Sequence, residues 1–545
     1  MVLVGVWTFL GFLLRFWQID HGLPHVFYTD EGHYAYFALN MGGGDLNPHD
    51  FYHPNLYYYL CFFGDMAYIL AGLVSGLFKA PSDAWRLYVT DPTSFYVIGR
   101  AVSASLGTLT IPVVYVIGKK FFDGLTALLA SFFWAFAFQA VQWSQVGTTD
   151  APGTFFVMLA FFFALKMFQT GRAREFAAAG FAAGLAGSTR YPGLETFVWG
   201  PAAALLLAIS KKGELEWKKA GKGVLWFTIF FALGFTTGTP YWILDFPKFK
   251  ADFLWNWNYY KMFGKGQLGY EGDWNWFYYL ANPLVYGLGL PLAILSILGL
   301  VFLVIRFDEK HAFFLSFPAV YFLVSGFSRI RVSRYFLPLI PFLCLSAAYL
   351  LTQFLSRRGA VKKGTRPWAL ALAALFVAVP SLASSVRAAM LRTAPDTRTL
   401  AAIWIHEHVE PGTKVLETRY AFLPKIFPER KVEALDASLF DSRTQNLSSL
   451  RTLDDYREEG FEYLILDEWH QGIVLREGAR DPRYRNTVKK YQEFLGELKR
   501  SAELAATFSP YREPGVGFDM ENVEVASRSL WKMRSLGPTI WIYKL

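Results

Sequence analysis

The chain has 545 residues, 53% of them apolar and 18% aromatic, with only 18% charged, which excludes an ordinary soluble globular protein. Its net charge of +9 is no nucleic-acid footprint, because the Lys and Arg residues gather in short loops between apolar runs. The two cysteines, Cys61 and Cys344, both lie in apolar segments, which excludes a disulfide framework and a Cys-based metal site.

A membrane span needs about 20 mostly apolar residues. Runs of that kind occur at 2–19, 93–118, 121–143, 151–170, 176–189, 192–210, 223–243, 283–305, 312–327, 335–355 and 368–389. The first lacks a basic n-region and a small-residue cleavage site, so it reads as an uncleaved span. Lys119–Lys120, Arg172 and Arg174, Lys211–Lys222, Arg306 and Lys310, and Arg357–Arg366 fall at every second connection. The positive-inside bias then places the N-terminus in the cytoplasm and the segment after the first span outside. Residues 54–78 are also long enough to span, but counting them would reverse every later loop. Asp65 near their middle and their Tyr-rich start suit a helix lying at the outer interface.

From residue 393 the composition becomes that of a soluble protein. The chain therefore divides into a transmembrane domain, residues 1–392, and an extracytoplasmic α/β domain, residues 393–545. In the second, TLAAIWIHEHV reads as an amphipathic helix, while TKVLET, FEYLILDE and TIWIYKL read as strands. His406 and His408 stand two apart and so face different sides of that helix, which argues against a zinc site.

On this topology the outer face collects polar groups. FYTDEGHYA carries Asp30 and Glu31; His53 follows before Pro54; Asp150 opens one span, and Arg190 stands between two short apolar segments. Arg329, Arg331 and Arg334 crowd SRIRVSRYFLP, and Arg100 lies about two turns into its span. Outward arginines run against the positive-inside bias; they either snorkel to headgroups or bind an anion. A phosphate-type ligand beside carboxylates implies a reaction in which an acid takes a proton and the arginines offset the leaving charge. Asp30 and Glu31 also suit the first turn of a helix, whose dipole they complement. The loop 255–279, dense in Trp and Tyr, reads as an interfacial belt or a lid, with Lys261 and Lys265 as lipid-phosphate contacts. MGGGD (41–45) follows no strand and precedes no GK[ST], so it is a loop and not a nucleotide site. No GxSxG, HExxH or DxD motif is present.

Seven segments, in order, carry a resemblance: LLRFWQIDHGLPHVFYTDEGHYA, GDLNPHDFYHPNLYYYL, IGRAVSASLGTLTIPVVYVIGKKFF, TTDAPGTFFVMLA, GLAGSTRYPGLE, GTPYWILDFPKF and SRYFLPLIPFL. Together they resemble membrane glycosyltransferases of the C-type (GT-C) fold that use polyprenyl-phosphate sugars. These include the dolichyl-phosphate-mannose protein mannosyltransferases and the aminoarabinose transferases of lipid A. The resemblance implies a polytopic α-helical membrane protein with about 11 transmembrane helices, interfacial helices in the first outer loop (31–41 and 54–78), and a C-terminal α/β domain. It implies transfer of a hexosyl or pentosyl unit, mannosyltransferase-like, from a polyprenyl-phosphate donor to a glycan, lipid or protein acceptor at the outer face of the cytoplasmic (inner) membrane, with inversion.

Carried over by position, the resemblance makes Asp30 and Glu31 the catalytic pair, Asp30 as base or acceptor-orienting group. His53, Pro54 and Leu56 match a histidine–proline–leucine element, with Asn55 where a second proline is common. Asp150 is the second acidic position, Arg190 the basic one, and Arg334, Tyr335, Leu337 and Pro338 match RYxLP; Arg100 and Arg331 join them as substrate-binding residues. Oligosaccharyltransferases of related fold need a divalent cation, and Asp30, Glu31 and Asp150 offer hard oxygen ligands for one. Most relatives that use sugar monophosphate lipids need none, so the expectation is no cofactor and no metal. Two other functions remain: a transporter or flippase of lipid-linked sugar, for which internal repeats and midplane polar sites would be expected, and a non-catalytic binder of such a lipid.

Overall fold

A computed structural model describes the chain apart from residues 26, 212–213, 261–273, 329, 358–365, 419–431, 435–449, 481 and 524–525. Side chains are likewise not described at 29, 211, 214–216, 259–260, 355–357, 366–367, 432–434, 477, 483 and 523. Lys261, Lys265 and Arg329 thus lie outside the described residues. The chain divides into two compact units. One contains Met1–Ile19, most of Thr29–Gly264 and Asp273–Val386; the other contains Asp20–Tyr28 and Arg387–Leu545.

The first unit is helical. It runs α1 (Val2–Phe16), α2 (Thr29–Met41), α3 (Leu56–Ser75), α4 (Ser82–Thr90), α5 (Thr93–Phe121), α6 (Gly124–Phe136), α7 (Phe138–Ser144), α8 (Asp150–Thr170), α9 (Ala173–Thr189), α10 (Trp199–Lys211), α11 (Glu214–Gly238), α12 (Tyr241–Leu244) and α13 (Phe246–Tyr260). Further helices follow at Leu290–Ile305, Glu309–Phe327, Ile340–Arg357 and Arg366–Leu391. Among the described residues eight helices are long and apolar enough to cross a membrane, the bent pair α6–α7 makes a ninth, and α1 and Leu290–Ile305 are shorter apolar helices. The chain is a multi-pass membrane protein. α3 meets the same length and hydropathy test, so length and apolarity do not distinguish the interfacial placement expected for 54–78 from a span.

α9 and α11 pack through small residues. A Cβ at Gly180 or Gly184 would strike the backbone of Phe227 or Phe231, and one at Gly234 would strike Phe181. Without a hydrophobic drive between helices in lipid, such close backbone approach is what holds the pair.

The span expected at 121–143 is broken. α6 and α7 meet at a 55° bend at Ala137, whose ψ of 119° is not helical. A break within a membrane strands backbone carbonyls and amides, which must find partners inside the protein. Arg15 of α1, fully buried, supplies them: its Nη1 donates to Ala135 O at 2.9 Å and Gly11 O at 3.1 Å, and its Nε to Ser144 Oγ at 3.2 Å. Ser381 Oγ accepts from the freed Phe138 amide at 2.8 Å.

In the second unit a five-stranded sheet of order β2-β1-β3-β5-β4 combines β1 (Lys414–Glu417), β2 (Val432–Ala434), β3 (Phe461–Asp467), β4 (Glu503–Phe508) and β5 (Ile540–Lys544). β1, β2 and β3 are parallel; β5 runs antiparallel to β3 and β4. Side chains alternate across it as the strand period requires. Ile465, Ile540 and Ile542 pack under the helix Thr397–His408, whereas Leu464, Leu466 and Tyr543 pack under the helix Arg485–Ser501. This is the α/β fold read from the tail, with β2 and β4 added.

Replacing Arg15 with Leu strands several buried acceptors at about 1–3 kcal/mol each. Thermal unfolding in detergent should therefore show a loss of several degrees for Arg15→Leu, and almost none for Arg174→Leu, whose side chain is 73% exposed.

Candidate active site

Asp30 and Glu31 open α2, where the helix dipole favours negative charge. Neighbours on a helix are about 100° apart around the axis, so the two carboxylates part company.

Glu31 turns inward and is 2% exposed. Arg100 of α5, also buried, grips both its oxygens with Nε and Nη2 at 2.8 Å each, a two-pronged charged pair. The Gly147 amide adds a third bond to Oε1 at 2.7 Å, and Arg100 Nη1 reaches back to Ile19 O at 2.8 Å. A Cβ on Gly147 would sit 3.3 Å from the Arg100 amide and 3.4 Å from Glu31 Oε1, so a side chain there would crowd the pair. The sequence reading placed Glu31 among catalytic groups and Arg100 among substrate ligands; the structure joins them to each other.

Asp30 keeps 31% of its side chain exposed and receives Arg334 Nη1 on Oδ2 at 2.7 Å. The same nitrogen lies 3.9 Å from Asp150 Oδ2. Asp150, at the head of α8 and 2% exposed, pairs through Oδ1 with Arg190 and accepts from Thr148 Oγ1 at 2.9 Å. Arg190 stands in extended backbone between α9 and a 3-10 turn, Tyr191–Val198. Its guanidinium lies over Tyr335 at 4.3 Å, and that of Arg334 lies 5.9 Å from the same ring and 5.6 Å from Trp143. Arg334 and Tyr335 begin another 3-10 turn, Ser333–Leu339, held by bonds from Gln139 to Ser333 O and from Tyr321 to Tyr335 O. Asp30, Asp150, Arg190, Arg334 and Tyr335, spread over 300 residues of sequence, thus form one cluster. Arg331 is half-buried three residues before Arg334.

Around Asp30 lie His53, expected from the sequence, and groups the sequence reading did not single out. Tyr34, four residues on and on the same helix face, is 2% exposed and bonds to the Thr149 side chain. Burial and the Asp30 charge both raise its phenol, so it is neutral. The His53 ring lies 5.3 Å from Tyr34 and 6.1 Å from His33. His33 Nε2 meets Asp50 Oδ2 at 3.0 Å, and Tyr58 donates to the same oxygen at 2.5 Å. The i+4 spacing of Tyr34 was a visible signal; the return of Asp50 onto His33 was not.

Burial raises the Asp30 carboxyl, but the charge of Arg334, then His53, then the Arg334 hydrogen bond and His33 more than offset it, leaving it at about 2. Burial lowers His53 to about 4 despite the pull of Asp30. At neutral pH the site therefore holds an ionised carboxylate beside a neutral imidazole. Among the described residues no group of three His, Cys, Asp or Glu is arranged to hold a metal ion. Guanidinium groups face Asp30 and Asp150, and Glu31 is saturated by Arg100 and Gly147.

Residues 96–242 match the family model described as dolichyl-phosphate-mannose-protein mannosyltransferase. The match includes Arg100, Asp150 and Arg190. No curated protein matches the chain. Among solved structures, AglB of Archaeoglobus fulgidus, in complex with an inhibitory peptide and a dolichol-phosphate, superposes with TM-score 0.52 at 12% identity, covering 100% of this chain and 88% of its own. ArnT of Cupriavidus metallidurans in the apo state gives 0.51 at 14%, covering 99% and 97%. The Archaeoglobus fulgidus oligosaccharyltransferase with Zn and sulfate gives 0.51 at 12%, covering 90% and 71%. The chain has the GT-C fold.

Arg100→Met should unfold the first unit more readily, because a buried carboxylate left alone costs about 3–5 kcal/mol. Pairing it with Glu31→Gln should restore part of the loss. A double-mutant cycle in thermal unfolding reads this directly.

Proposed function

We propose that the protein transfers a sugar from a polyprenyl-phosphate donor to an acceptor at the extracytoplasmic face of the cytoplasmic membrane, its N-terminus in the cytoplasm. The observation that carries this reading is the Asp30–Arg334 pair: a partly exposed carboxylate and a guanidinium, 2.7 Å apart, in a chain of GT-C fold. The bound lipid phosphate of AglB supports it by analogy of fold.

In this reading Asp30 takes the proton of an acceptor hydroxyl as its oxygen attacks the anomeric carbon. The bond from that carbon to the phosphate oxygen breaks, and the phosphate leaves with the electron pair. Arg334 and Arg331 offset the new charge, while Arg190 fixes Asp150 beneath them. One displacement at one carbon inverts its configuration. Glu31 serves as a positioning residue, since its oxygens are committed to Arg100 and Gly147. His53, neutral beside Asp30, serves to hydrogen-bond sugar or acceptor in this reading. The guanidinium groups supply the positive charge that a divalent cation would otherwise bring, so the reaction runs without metal.

The test is release of radiolabelled sugar from a panel of polyprenyl-phosphate sugars by purified protein in lipid. Asp30→Asn should lose about 10²–10⁴-fold, the usual worth of a general base. Arg334→Gln should lose about 10²–10³-fold. Turnover by Asp30→Asn equal to wild type would remove Asp30 as base, and donor binding without release would favour a carrier or binder. A chelator such as EDTA should leave the wild-type rate unchanged.

A further inference from the structure

The charges of the site close on themselves. Asp30 and Asp150 are matched by Arg334 and Arg190, and Glu31 by Arg100. A donor phosphodiester brings a further negative charge to a site where Arg100, Arg190 and Arg334 are each already paired with a carboxylate. Arg334 is the cation within reach of change: it bonds Asp30, which is partly exposed, and touches Asp150 only at 3.9 Å. Arg190 is instead held by a nearly fully buried aspartate and the face of Tyr335.

We propose that Arg334 is exchanged between Asp30 and the donor phosphate, so that arrival of the donor is what releases the base. The inference rests on the transferase reading above. Its charge balance is exact. Before transfer the phosphodiester and Asp30 carry one negative charge each. During transfer the acceptor oxygen bonds the anomeric carbon and its proton passes to Asp30, while the carbon–phosphate oxygen bond breaks and its electron pair goes to phosphate. Afterwards Asp30 is neutral and the phosphate monoester carries two charges. Negative charge thus moves from Asp30 to phosphate, and Arg334 follows it. In the donor-free state the same guanidinium keeps Asp30 an inert, fully ionised carboxylate.

The groups that interact with Asp30 are His33 and Tyr34 on α2, His53 on the loop before α3, Tyr58 on α3 and Arg334, which also approaches Asp150 at the head of α8. Of these His53 titrates in the same acid range, so a His53→Gln variant is included. The acid limb of kcat/KM for the donor reports the free enzyme and that of kcat the donor complex. In wild type the kcat limb should lie at least one pH unit above the kcat/KM limb, between about pH 4 and 6, as Asp30 returns to or above the ordinary carboxylate range. The gap should survive His53→Gln, narrow in Arg334→Lys and vanish in Arg334→Gln. Coincident limbs in wild type, or a gap that persists in Arg334→Gln, would overturn the exchange. Binding of dolichyl phosphate gives a second readout that needs no turnover. Wild type should bind several-fold tighter at pH 4.5 than at 6.5 relative to Asp30→Asn, in which only the lipid's own titration remains; equal pH dependence in the two proteins rejects the proposal. A positive binding result without turnover on any donor would keep the exchange and discard the transferase reading.

Discussion

Three carboxylates in one region of a membrane protein can persist only because each is met by an arginine from far away in the chain. Glu31 and Arg100 are 69 residues apart, Asp150 and Arg190 are 40, and Asp30 and Arg334 are 304. Removing a charge from water costs several kcal/mol unless a partner and further hydrogen bonds replace the solvent. That requirement determines which helices meet. α2 is fastened to α5 by the first pair, α8 to the turn after α9 by the second, and α2 to the Ser333–Leu339 turn by the third. The pairs differ in exposure. Glu31 and Arg100 are sealed and hold geometry, whereas Asp30 and Arg334 keep 31% and 18% of their side chains accessible and can answer a ligand.

The irregular backbone follows the same logic. Arg190 and Arg334 both sit at entries to 3-10 turns, and Asp150 starts a helix; helix ends are where side chains can converge and where amides and carbonyls are free to be answered. The break between α6 and α7 brings Trp143 and Gln139 beneath Arg334 and Ser333. Its stranded groups are taken by Arg15, Ser381 and Ser385, so the kink is a fixed part of the scaffold. In transporters, broken helices offer such groups to ions and substrates. Here Arg15 and the two serines occupy them, which favours the enzyme over the carrier.

Much of the fold was legible in the chain because bilayer burial imposes length and apolarity on every span. The expected runs recur as helices, down to the C-terminal Arg366–Leu391. Breaks were not legible: 121–143 and 283–305 read as single apolar runs yet each contains a kink, at Ala137 and Gly289, since hydropathy does not register a change of backbone angle. In the α/β unit, strands with clean burial alternation or continuous apolar runs were readable, while ELAATF, half-exposed in β4, was not. The acidic and basic site residues were visible through their anomalous placement at the ends of spans opposite the basic loops. Their pairing was not, because nothing in sequence separates an arginine that waits for phosphate from one already spent on a carboxylate. Arg100 and Glu31 show the difference.

Adjacent acids on a helix cannot do the same work, because a rotation of about 100° sends them into different surroundings. Here one step in sequence separates a carboxylate saturated by three strong donors from one that shares a single nitrogen with its neighbour. The saturated one fixes where α2 stands relative to α5, and thereby the distance from Asp30 to Arg334. The motif DE thus joins, across one peptide bond, a partly exposed carboxylate paired with Arg334 and a buried one held by Arg100 and Gly147. Gly32 leaves the next position without a side chain, and Tyr34, one turn beyond Asp30, closes that face with a neutral phenol. The charge of a carboxylate held this way depends less on its own burial than on the cation it faces.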